Sequence, residues 1–583
     1  MRQPNAYPGS TPSPVPVPVS TPTPSPIPAA KAATTPLLDP IAWLSQHEAY
    51  WPKEVRLLEP VVFWLRVNGA EAGSVEVPTG RIVELTEIRD GKALLSFEGG
   101  TAWAAIAKTN LGELSKSLMM KGEANIATPV PSATTMPSPA RSSVAGYRPA
   151  DNLVPLTLKD EVRAEERLAN RRITLSGTAD LRISGTGNPL ARSMINFTSP
   201  DARLILEKVG ASEAENSILP QLLIQDTPAA TGSNVRIAGY GHGTVIIPQG
   251  PNFEAMAIFD GNSLSGASMS LRCYVKYDID KLGAMKAAIR SFRLKRGYMA
   301  TVAQNEDGTG FSKNYVAQDR DVVVNELPAG LAGNVAFVRI FPWRWTAKKG
   351  VAGGIWQGLN VGWYYNWNIS DNSTPELEYV PIAQKLYWPG LDQDWQARGA
   401  THLLGYNEPD HKDQANLTVD QAIQGWPKLL ATGLRLGSPA VSDGGLNWLY
   451  DFIAKADGNH LRVDFIAVHY YRSHNPADAK GAATQFYNFL KEIHGRTKRP
   501  IWVTEWNNGA NWTHDPKPTF AQQKEALKEM IKMLDRTPFV ERYAIYNWVE
   551  ETRSVKRKDG TLTPAGEVYR DQESPLAYDQ SGP

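Results

Sequence analysis

Cysteine is nearly absent from this chain of 583 residues, in which Cys273 stands alone. A single thiol excludes an intrachain disulfide and any zinc site built from several cysteines. Long apolar runs are also missing, since none approaches the roughly 20 residues that a membrane-spanning helix requires. Excess charge of one sign is missing too, because 61 basic and 60 acidic residues nearly cancel. We therefore expect no membrane partner and no nucleic-acid partner.

A signal peptide is not visible at the amino terminus, where MRQPNAYPGSTPSPVPVPVS has neither a basic segment nor an apolar core. The shortage of cysteine is compatible with a reduced compartment and equally with a secreted enzyme that has no disulfides. We expect a monomeric protein that is secreted or displayed at the cell surface, with its export signal not apparent in this sequence.

Composition divides the first part of the chain into a tail, a small module and a linker. Residues 1–40 are rich in Pro, Ser and Thr and predict an extended tail without a core. Residues 41–122 contain short alternating runs such as VVFWLRV and KALLSFEGG, separated by Gly and Asp-Gly turns, which predict a small all-β, SH3-like module. Residues 123–150 are again rich in Pro, Ser and Thr and predict a linker.

Two further β-rich modules follow the linker. Residues 151–252 contain runs such as RITLSGTADLRISG and predict a β-rich accessory module, and we expect the β modules after the linker to be β-sandwich or Greek-key folds. Residues 253–345 place Phe259 seven positions before Gly266, with Ser268 next, and this pattern resembles the Greek-key motif of βγ-crystallins. Paired Asn and Asp residues of the calcium sites in that family are not evident, so we predict no calcium binding.

The periodicity changes in residues 346–575, where short apolar strands alternate with helical patterns. The strands include VGWYYNW, THLLGYNEP, VDFIAVHYY and RPIWVTEWN, and the segments between several of them repeat apolar residues with helical spacing. Repeated β-α alternation over about 230 residues predicts a parallel sheet, and seven or eight units predict a closed (β/α)8 TIM barrel. The first unit of this barrel has little helix after its strand.

Two glutamates end predicted barrel strands, Glu408 in the fourth and Glu505 in the seventh. Strand ends meet at the catalytic face of such a barrel, and hydrolysis of a glycosidic bond requires two carboxylates. Aromatic and amide side chains share these strand ends and are predicted substrate contacts. They are Asn407, Trp363, Tyr365, Asn366, Trp367, His469, Tyr471, Trp506, Asn507, Trp512 and Trp548.

The motifs LLGYNEPD, LGSPAVSDGG, VDFIAVHYY and IWVTEWNNG, in this order, resemble the core of clan A endo-β-1,3-glucanases of glycoside hydrolase family 128. The resemblance implies that Glu408 is the general acid/base and Glu505 the nucleophile of a retaining mechanism. It further implies that Asn407 holds the 2-hydroxyl of the bound sugar. Tyr471 or His469 would orient Glu505, and Trp548 would form the floor of the cleavage subsite.

Tryptophan is concentrated in the same part of the chain, since 13 of the 17 residues follow position 340. Trp506, Trp512 and Trp548 lie at strand ends or in loops and are the expected stacking surfaces for sugar rings. Four others are expected to pack in the core: Trp343, Trp345, Trp388 and Trp426. Residues 346–583 carry 26 Lys and Arg against 28 Asp and Glu, and this balance favours a neutral polysaccharide as the substrate.

Alternatives remain open at this point. A zinc or magnesium enzyme would use His402, His411, His469 or His474, but no helical pair or cysteine partner supports such a site, and we predict no metal and no cofactor. The substrate would otherwise be agarose or another β-glycan of clan A enzymes. A third alternative is a non-catalytic carbohydrate-binding surface protein, although the presence of both glutamates argues against it.

Overall fold

The computed structural model describes residues 40–45, 51–112 with gaps at 68–69, 90 and 98–99, 114–115, and 152–580 except 474. The predicted tail, the linker and His474 therefore lie outside the described residues. The chain divides into two compact units, residues 1–140 and 141–583, and each is described by itself. Among the described residues, the helices are all too short or too polar to cross a membrane.

The first unit contains one antiparallel sheet of six strands in the order β1-β4-β5-β6-β2-β3. Alternate side chains of β4 are buried, as a sheet with one face against a core requires. A short helix, α1 (Pro40–Ser45), precedes the sheet, and a 3-10 turn follows it at Ile106–Lys108. The strands are β1 (Glu54–Arg56), β2 (Val61–Val67), β3 (Ala70–Val77), β4 (Ile82–Arg89), β5 (Lys92–Phe97) and β6 (Gly100–Ala105).

The second unit begins with strands that alternate between two sheets and pair in parallel with the strand one turn later. Leu158, Leu175 and Phe197 thus stand in register, which is the geometry of a β-solenoid. The strands are β7 (Val154–Lys159), β8 (Val162–Glu165), β9 (Arg171–Ser176), β10 (Asp180–Ile183), β11 (Met194–Phe197), β12 (Arg203–Leu206), β13 (Leu222–Ile224), β14 (Thr227–Pro228), β15 (Arg236–Gly241) and β16 (Gly243–Ile247).

The expected β-sandwich or Greek-key fold is therefore corrected for the module of residues 151–252. An alternating apolar pattern predicts which side chains face the core. It does not distinguish parallel from antiparallel pairing, because side chains alternate with a period of two in both. The last solenoid strands, β15 and β16, do pair in antiparallel fashion. One helix, α2 (Ala211–Ser217), and a 3-10 turn at Leu219–Gln221 interrupt the coil.

Two antiparallel sheets follow, in the orders β18-β17-β19-β22 and β21-β20-β23. Strand β22, from the later part of this segment, pairs with β19 of the first sheet. Tyr277, from the earlier part, pairs with Val338 of the second sheet, so the two parts exchange segments. This exchange is a double Greek key. The elements are β17 (Glu254–Phe259), β18 (Ser268–Arg272), α3 (Ile279–Leu282), a 3-10 turn (Gly283–Met285), β19 (Ser291–Leu294), β20 (Tyr298–Ala303), β21 (Ser312–Ala317), β22 (Val322–Val324) and β23 (Phe337–Pro342).

The remaining strands, except the short β24 (Trp345–Thr346), are eight parallel segments. Six form one sheet, β27-β26-β25-β32-β31-β30, and β28 pairs with β29. Parallel bridges at Ile382–Leu404 and Gly437–Phe465 connect the two groups. The strands are β25 (Lys349–Ala352), β26 (Trp363–Tyr365), β27 (Glu378–Tyr379), β28 (His402–Leu403), β29 (Arg435–Leu436), β30 (Ile466–Tyr470), β31 (Ile501–Trp506) and β32 (Val540–Ile545).

Helices follow the later strands but not the first two. The described residues between β25 and β27 contain no helix, and the solenoid packs at the start of this region instead. Strand β15 pairs with β24, and the Gly239 amide donates to the Pro375 carbonyl. The helices are α4 (Trp395–Arg398), α5 (Val419–Leu430), α6 (Leu446–Gly458), α7 (Ala479–Thr497), α8 (Phe520–Arg536) and α9 (Pro564–Asp571).

Charged side chains fill the interior at the start of the parallel strands. His402 Nδ1 lies 2.7 Å from Glu378, and Arg542 lies 2.8 Å from the other oxygen of Glu378. Arg435 donates to both oxygens of Glu541 at 2.5 and 2.7 Å. All five side chains are buried, so the ionised groups among them depend on their partners inside the protein.

Candidate active site

Glu505 ends β31 and receives hydrogen bonds at both carboxylate oxygens. The Tyr365 hydroxyl and Trp367 Nε1 donate to Oε1 at 2.9 and 2.8 Å, and the Tyr471 hydroxyl donates to Oε2 at 2.6 Å. Burial, followed by the charge of Glu505, holds the pKa of both tyrosines well above the usual range, so both hydroxyls keep their protons. Three donors therefore fix the position of a carboxylate that is 6% exposed.

Strained backbone positions hold two of the site residues. Trp367 adopts a φ of +56° and Glu408 a φ of +40°, in the left-handed region that residues with side chains rarely occupy. The Glu408 amide donates to the Ala440 carbonyl at 2.7 Å, and the His411 amide donates to the Glu408 carbonyl at 3.0 Å. The neighbouring strand and the Asn-Glu-Pro turn therefore fix the carboxyl-bearing residue in an unfavourable conformation, which is common at functional sites.

His469 lies between the two carboxylates. Its Nδ1 is 2.7 Å from Glu408 Oε1 and 3.6 Å from Glu505 Oε2, and the imidazole is fully buried. Burial opposes its charge, but Glu505 and the bond to Glu408 outweigh that effect and raise the pKa of His469 to about 9. The pKa of Glu408 is lowered, because the contacts with His469 outweigh its burial.

The orientation predicted for Glu505 is thus divided between two residues. Tyr471 makes the expected hydrogen bond to Glu505, whereas the hydrogen bond of His469 goes to Glu408. The sequence left these two candidates open because His469 lies near the end of β30 and Tyr471 directly follows it. The His469 imidazole lies close to both carboxylates. Its hydrogen bond, however, is with Glu408, the residue predicted to act as general acid and base.

A metal ion would find an unfavourable donor set here. One ligand atom from each of Glu408, His469 and Glu505 lies within 4.8 Å of the others. Both oxygens of Glu505, however, already accept hydrogen bonds from hydroxyl or indole groups, and His469 is held in its protonated form. A cation requires a free lone pair on a neutral imidazole. The cluster is better suited to sharing a proton.

Among the described residues, the side chains of His402 and His411, two other histidines of the metal alternative, pair with carboxylates other than Glu408 and Glu505. His402 belongs to the buried pairs at the opposite end of the parallel strands, bonded to Glu378. His411 is largely exposed and lies 3.7 Å from Asp410. These contacts account for both side chains without a metal.

An aromatic wall lies beside Glu505. We define it as Tyr471, Trp512, Tyr546, Trp548 and Trp367, whose ring centroids are 5.1–6.0 Å apart between neighbours. The indoles of Trp512 and Trp548 are about half exposed and offer faces to a ligand. Trp548 also packs on Gly353, where an added Cβ would lie 2.0 Å from the indole.

Tyr546, at the centre of the wall, was missed by the sequence reasoning. It is the first residue after β32, two positions before Trp548, and its placement next to a predicted stacking residue was the available signal. Burial and the charges of Glu505 and Glu408 raise its pKa to about 12, so its hydroxyl is a neutral donor at the mouth of the site.

Asn407, a predicted substrate contact, precedes Glu408 in the chain and is 4% exposed. Its Nδ2 donates to Gln414 Oε1 at 3.2 Å, while its Oδ1 has no hydrogen-bond partner among the described residues. Gln414 was not identified from the sequence. It fixes the amide orientation and leaves the Asn407 oxygen available as an acceptor for a ligand hydroxyl.

Trp363 and Trp506 do not face a ligand, and their predicted substrate contacts are corrected. Both are fully buried. Trp363 donates to the Lys348 carbonyl at 3.0 Å and packs against Trp502 below the site. Trp506 packs against Phe486 on the helix-facing side of its strand. Adjacent strand residues face opposite sides, so Glu505 and Trp506 cannot both reach the interior.

Asn366 and Asn507 are also corrected, because their amides are used within the protein. Tyr379 donates to Asn366 Oδ1 at 2.6 Å, and Asn366 Nδ2 donates to Ser370. Asn507 is fully buried, donates to the Tyr546 carbonyl at 2.9 Å and accepts from Gln523 at 2.8 Å. Both residues therefore hold the loops that carry the aromatic wall.

Comparison with known proteins places the site in a recognised sequence family. Residues 343–569 match the family model described as glycosyl hydrolase catalytic core. The curated Alkali-sensitive linkage protein 1 of Schizosaccharomyces pombe (strain 972 / ATCC 24843) is 27% identical over 226 residues, which are 36% of this chain. The match spans 40% of that relative's length.

Solved structures resemble the same part of the chain. A family 128, subgroup I endo-β-1,3-glucanase from Amycolatopsis mediterranei, in complex with laminaritriose, is 31% identical. The match covers 38% of this chain and 98% of that one, with a TM-score of 0.35. A family 128, subgroup III curdlan-specific exo-β-1,3-glucanase from Blastomyces gilchristii, in complex with glucose, is 28% identical, covering 39% and 98% respectively with a TM-score of 0.33.

Proposed function

Residues 343–569 carry a glycosyl hydrolase catalytic core like that of family 128, and from this premise we propose that the chain is a retaining endo-β-1,3-glucanase. The observation that carries the proposal is the pair Glu408 and Glu505, whose nearest oxygens lie within 4.8 Å. Carboxylates about 5 Å apart fit direct attack on the sugar, whereas an inverting enzyme needs about 6.5–9.5 Å to admit a water.

The two carboxylates differ in the way that the two roles demand. Glu505 has three hydrogen-bond donors that hold its carboxylate in one orientation, which suits a nucleophile. Glu408 has one partner, His469, with which it can exchange a proton. Glu408 would protonate the departing glycosidic oxygen and later deprotonate the attacking water, while Glu505 would form and release the glycosyl ester.

The eight parallel strands would close into a (β/α)8 barrel, in which the bridges at Ile382–Leu404 and Gly437–Phe465 complete the ring. Glu408, His469 and Glu505 then lie at the carboxyl-terminal ends of the strands, where active sites of such barrels are found. The clan A assignment follows from the same order, with the acid/base after the fourth strand and the nucleophile at the end of the seventh.

A neutral β-glucan is the polysaccharide partner that the site favours. The half-exposed indoles of Trp512 and Trp548 offer apolar faces for pyranose rings beside Glu505. Tyr546 and the free oxygen of Asn407 can bind sugar hydroxyls, and the described wall carries no cation that would recognise a sulfated polymer. We also propose that the protein is extracellular or displayed at the cell surface and that it is a monomer.

The test replaces each glutamate by glutamine in the full chain. Both Glu408→Gln and Glu505→Gln should lose at least about 100-fold in kcat/KM on laminarin with unchanged circular dichroism. The exposed Glu525→Gln is the matched control and should retain full activity. Full activity of either active-site variant would refute the assignment.

Three further measurements define the reaction and the substrate. Proton NMR of the first product should show a β-anomer, and an α-anomer would remove the nucleophile role of Glu505. Azide should restore turnover to Glu505→Ala as an α-glycosyl azide and to Glu408→Ala as a β-glycosyl azide. A panel of laminarin, curdlan, agarose, mannan and xylan should show hydrolysis of the β-1,3-glucans only. The sizes of the products should show internal cleavage. Hydrolysis of agarose alone would refute the proposed substrate.

A further inference from the structure

The acid/base residue presents a chemical difficulty in the resting site. A general acid must carry a proton before it can protonate the glycosidic oxygen. Glu408 Oε1, however, accepts a hydrogen bond from His469 Nδ1 at 2.7 Å, and that contact favours the carboxylate form of Glu408. The proton needed for the first half-reaction therefore lies next to Glu408 and not on it.

We propose that His469 stores the proton that Glu408 gives to the departing sugar and recovers it when Glu505 is released from the glycosyl ester. The proposal rests on the proposed function of the two glutamates. His469 touches neither the sugar nor the reacting carbon, so it is a positioning residue that acts through Glu408.

The charges that face His469 make this transfer depend on the reaction itself. Glu408 and Asp410 approach from the loop after β28, and Glu505 approaches from β31. With all three ionised, the buried imidazole holds its proton, and its pKa is raised to about 9. When Glu505 Oε2, 3.6 Å from Nδ1, becomes part of a neutral ester, one of the charges that retain the proton disappears.

The loss of that single charge is large enough to release the proton. Two unit charges about 4 Å apart at an effective dielectric of about 20 interact strongly enough to change a proton affinity by about a thousandfold. The pKa of His469 would then fall from about 9 by about three, below neutral pH. Formation of the ester and departure of the proton therefore favour each other.

The step balances in protons and charge. The proton moves from Nδ1 to Glu408 Oε1, the carboxyl group turns about its Cγ–Cδ bond, and the proton passes to the glycosidic oxygen as the C1–O bond breaks and the Glu505–C1 bond forms. The three side chains carry a net charge of about −1 before, with one cation and two anions, and about −1 after, with Glu408 alone charged. In the second half-reaction water gives its proton to Glu408, which returns it to Nδ1 as Glu505 regains its charge.

The first experiment measures the proton on His469 directly and does not require an active enzyme. Nitrogen NMR of histidine-labelled full chain should give a titration near pH 9 for His469 in the wild type. In Glu505→Gln, which removes the charge but keeps the shape, the midpoint should fall by about three pH units. An unchanged midpoint would overturn the proposal. The retaining mechanism is tested separately by the azide products.

The second experiment separates proton storage from simple positioning. His469→Asn keeps an amide donor near the position of Nδ1 but cannot ionise, whereas His469→Ala loses both properties. At pH 8, His469→Asn should lose about 100-fold in kcat/KM on laminarin, the range expected for general acid catalysis. At pH 5, where Glu408 can take a proton from solvent, the loss should shrink to a few fold.

A substrate that needs no acid provides the internal control. Release of dinitrophenolate from an aryl β-laminaribioside should be nearly unaffected in His469→Asn, because that leaving group departs without protonation. An equal loss on laminarin and on the aryl substrate would mean that His469 only orients the site, and would refute proton storage. The same alkaline limit in wild type and variant would refute it as well.

Discussion

Lowering the pH from 7.5 to 4.5 should destabilise the protein through His402, which lies in the charged interior beneath the active site. His402 is fully buried, bonded to Glu378, and packed between the indoles of Trp343 and Trp502 at 5.4 and 5.0 Å. Burial is the largest influence and, together with Arg542, outweighs the attraction of Glu378 and lowers the pKa of His402 from 6.5 to about 4.

The sign and size follow from the two pKa values. Below pH 6.5 the unfolded chain binds a proton at this histidine while the folded protein does not, so stability falls as the pH falls. Between pH 7.5 and 4.5 the loss is about 2.5 kcal/mol in the free energy of unfolding. Glu378 and Glu541, whose pKa values are lowered, add their losses only as the pH falls below their unfolded values. His469, with a raised pKa, stabilises the protein further as the pH falls from 7.5 towards 6.5 and contributes a constant amount below that; this opposing effect is present in the wild type and in a His402 variant and cancels when the two are compared.

Guanidinium denaturation at pH 7.5 and 4.5, followed by tryptophan fluorescence, measures the loss. His402→Gln is the matched variant, because its amide can still donate to Glu378 but does not titrate. The wild type should lose about 2.5 kcal/mol more than the variant over this range. The half-buried His242, whose pKa is also lowered, is present in both proteins and cancels in the comparison. Equal losses in the two proteins would refute the reasoning.

Three shorter predictions concern the site itself. Tyr471→Phe removes the 2.6 Å donor to Glu505 and should lower kcat/KM on laminari-oligosaccharides by about 10- to 100-fold. Tyr450→Phe, whose hydroxyl donates to Glu492 instead, should leave it unchanged. Trp512→Ala should raise KM for laminarin by about 2- to 10-fold with little change in kcat, because the indole contributes a stacking face and no chemistry. A change in kcat alone would contradict that role. Prolonged treatment with EDTA should leave laminarin hydrolysis unchanged, and a loss restored by one divalent cation would revive the metal alternative.

The sequence could predict the residues of the candidate site because residue type and strand order carry that information. Glu408, Glu505 and Asn407 lie where the strand ends predict, and Tyr471 contacts Glu505 as expected. His469 was the other residue expected to orient Glu505, and its actual hydrogen-bond partner could be identified only from the structure. Its partner is decided by a difference of about 1 Å between two carboxylates, and no pattern of residue types encodes such a difference.

Other errors have a common physical origin in the strand period of two. Trp506 was grouped with Glu505 because the two are adjacent in the chain, yet adjacent strand residues face opposite sides and Trp506 is fully buried. Asn507 follows β31, and its amide is used in hydrogen bonds within the protein. The same ambiguity affected residues 151–252, where an alternating pattern revealed which residues are buried but not that the strands pair in parallel. Side-chain direction and strand pairing are set by tertiary contacts that lie far apart in the sequence.

The solenoid and Greek-key modules should prove necessary for the catalytic region to fold. The region lacks helices between β25 and β27, and apolar residues of both modules share one continuous core with it, including Ile247, Met299 and Phe341. The Thr301 hydroxyl also donates to the Gly433 carbonyl at 2.8 Å. A fragment of residues 343–583 would expose this core to water and lose several kcal/mol for every few large side chains uncovered.

Expression of residues 343–583 should therefore give aggregated or poorly structured protein, while residues 141–583 should melt cooperatively and hydrolyse laminarin like the full chain. The second fragment is the matched control, because it removes only the other compact unit. Thermal unfolding by circular dichroism distinguishes the two. A fragment of 343–583 that melts within a few degrees of 141–583 would show that the catalytic region has a sufficient core of its own. The modules would then be attachments to the enzyme, whereas the shared core requires them to be part of its fold.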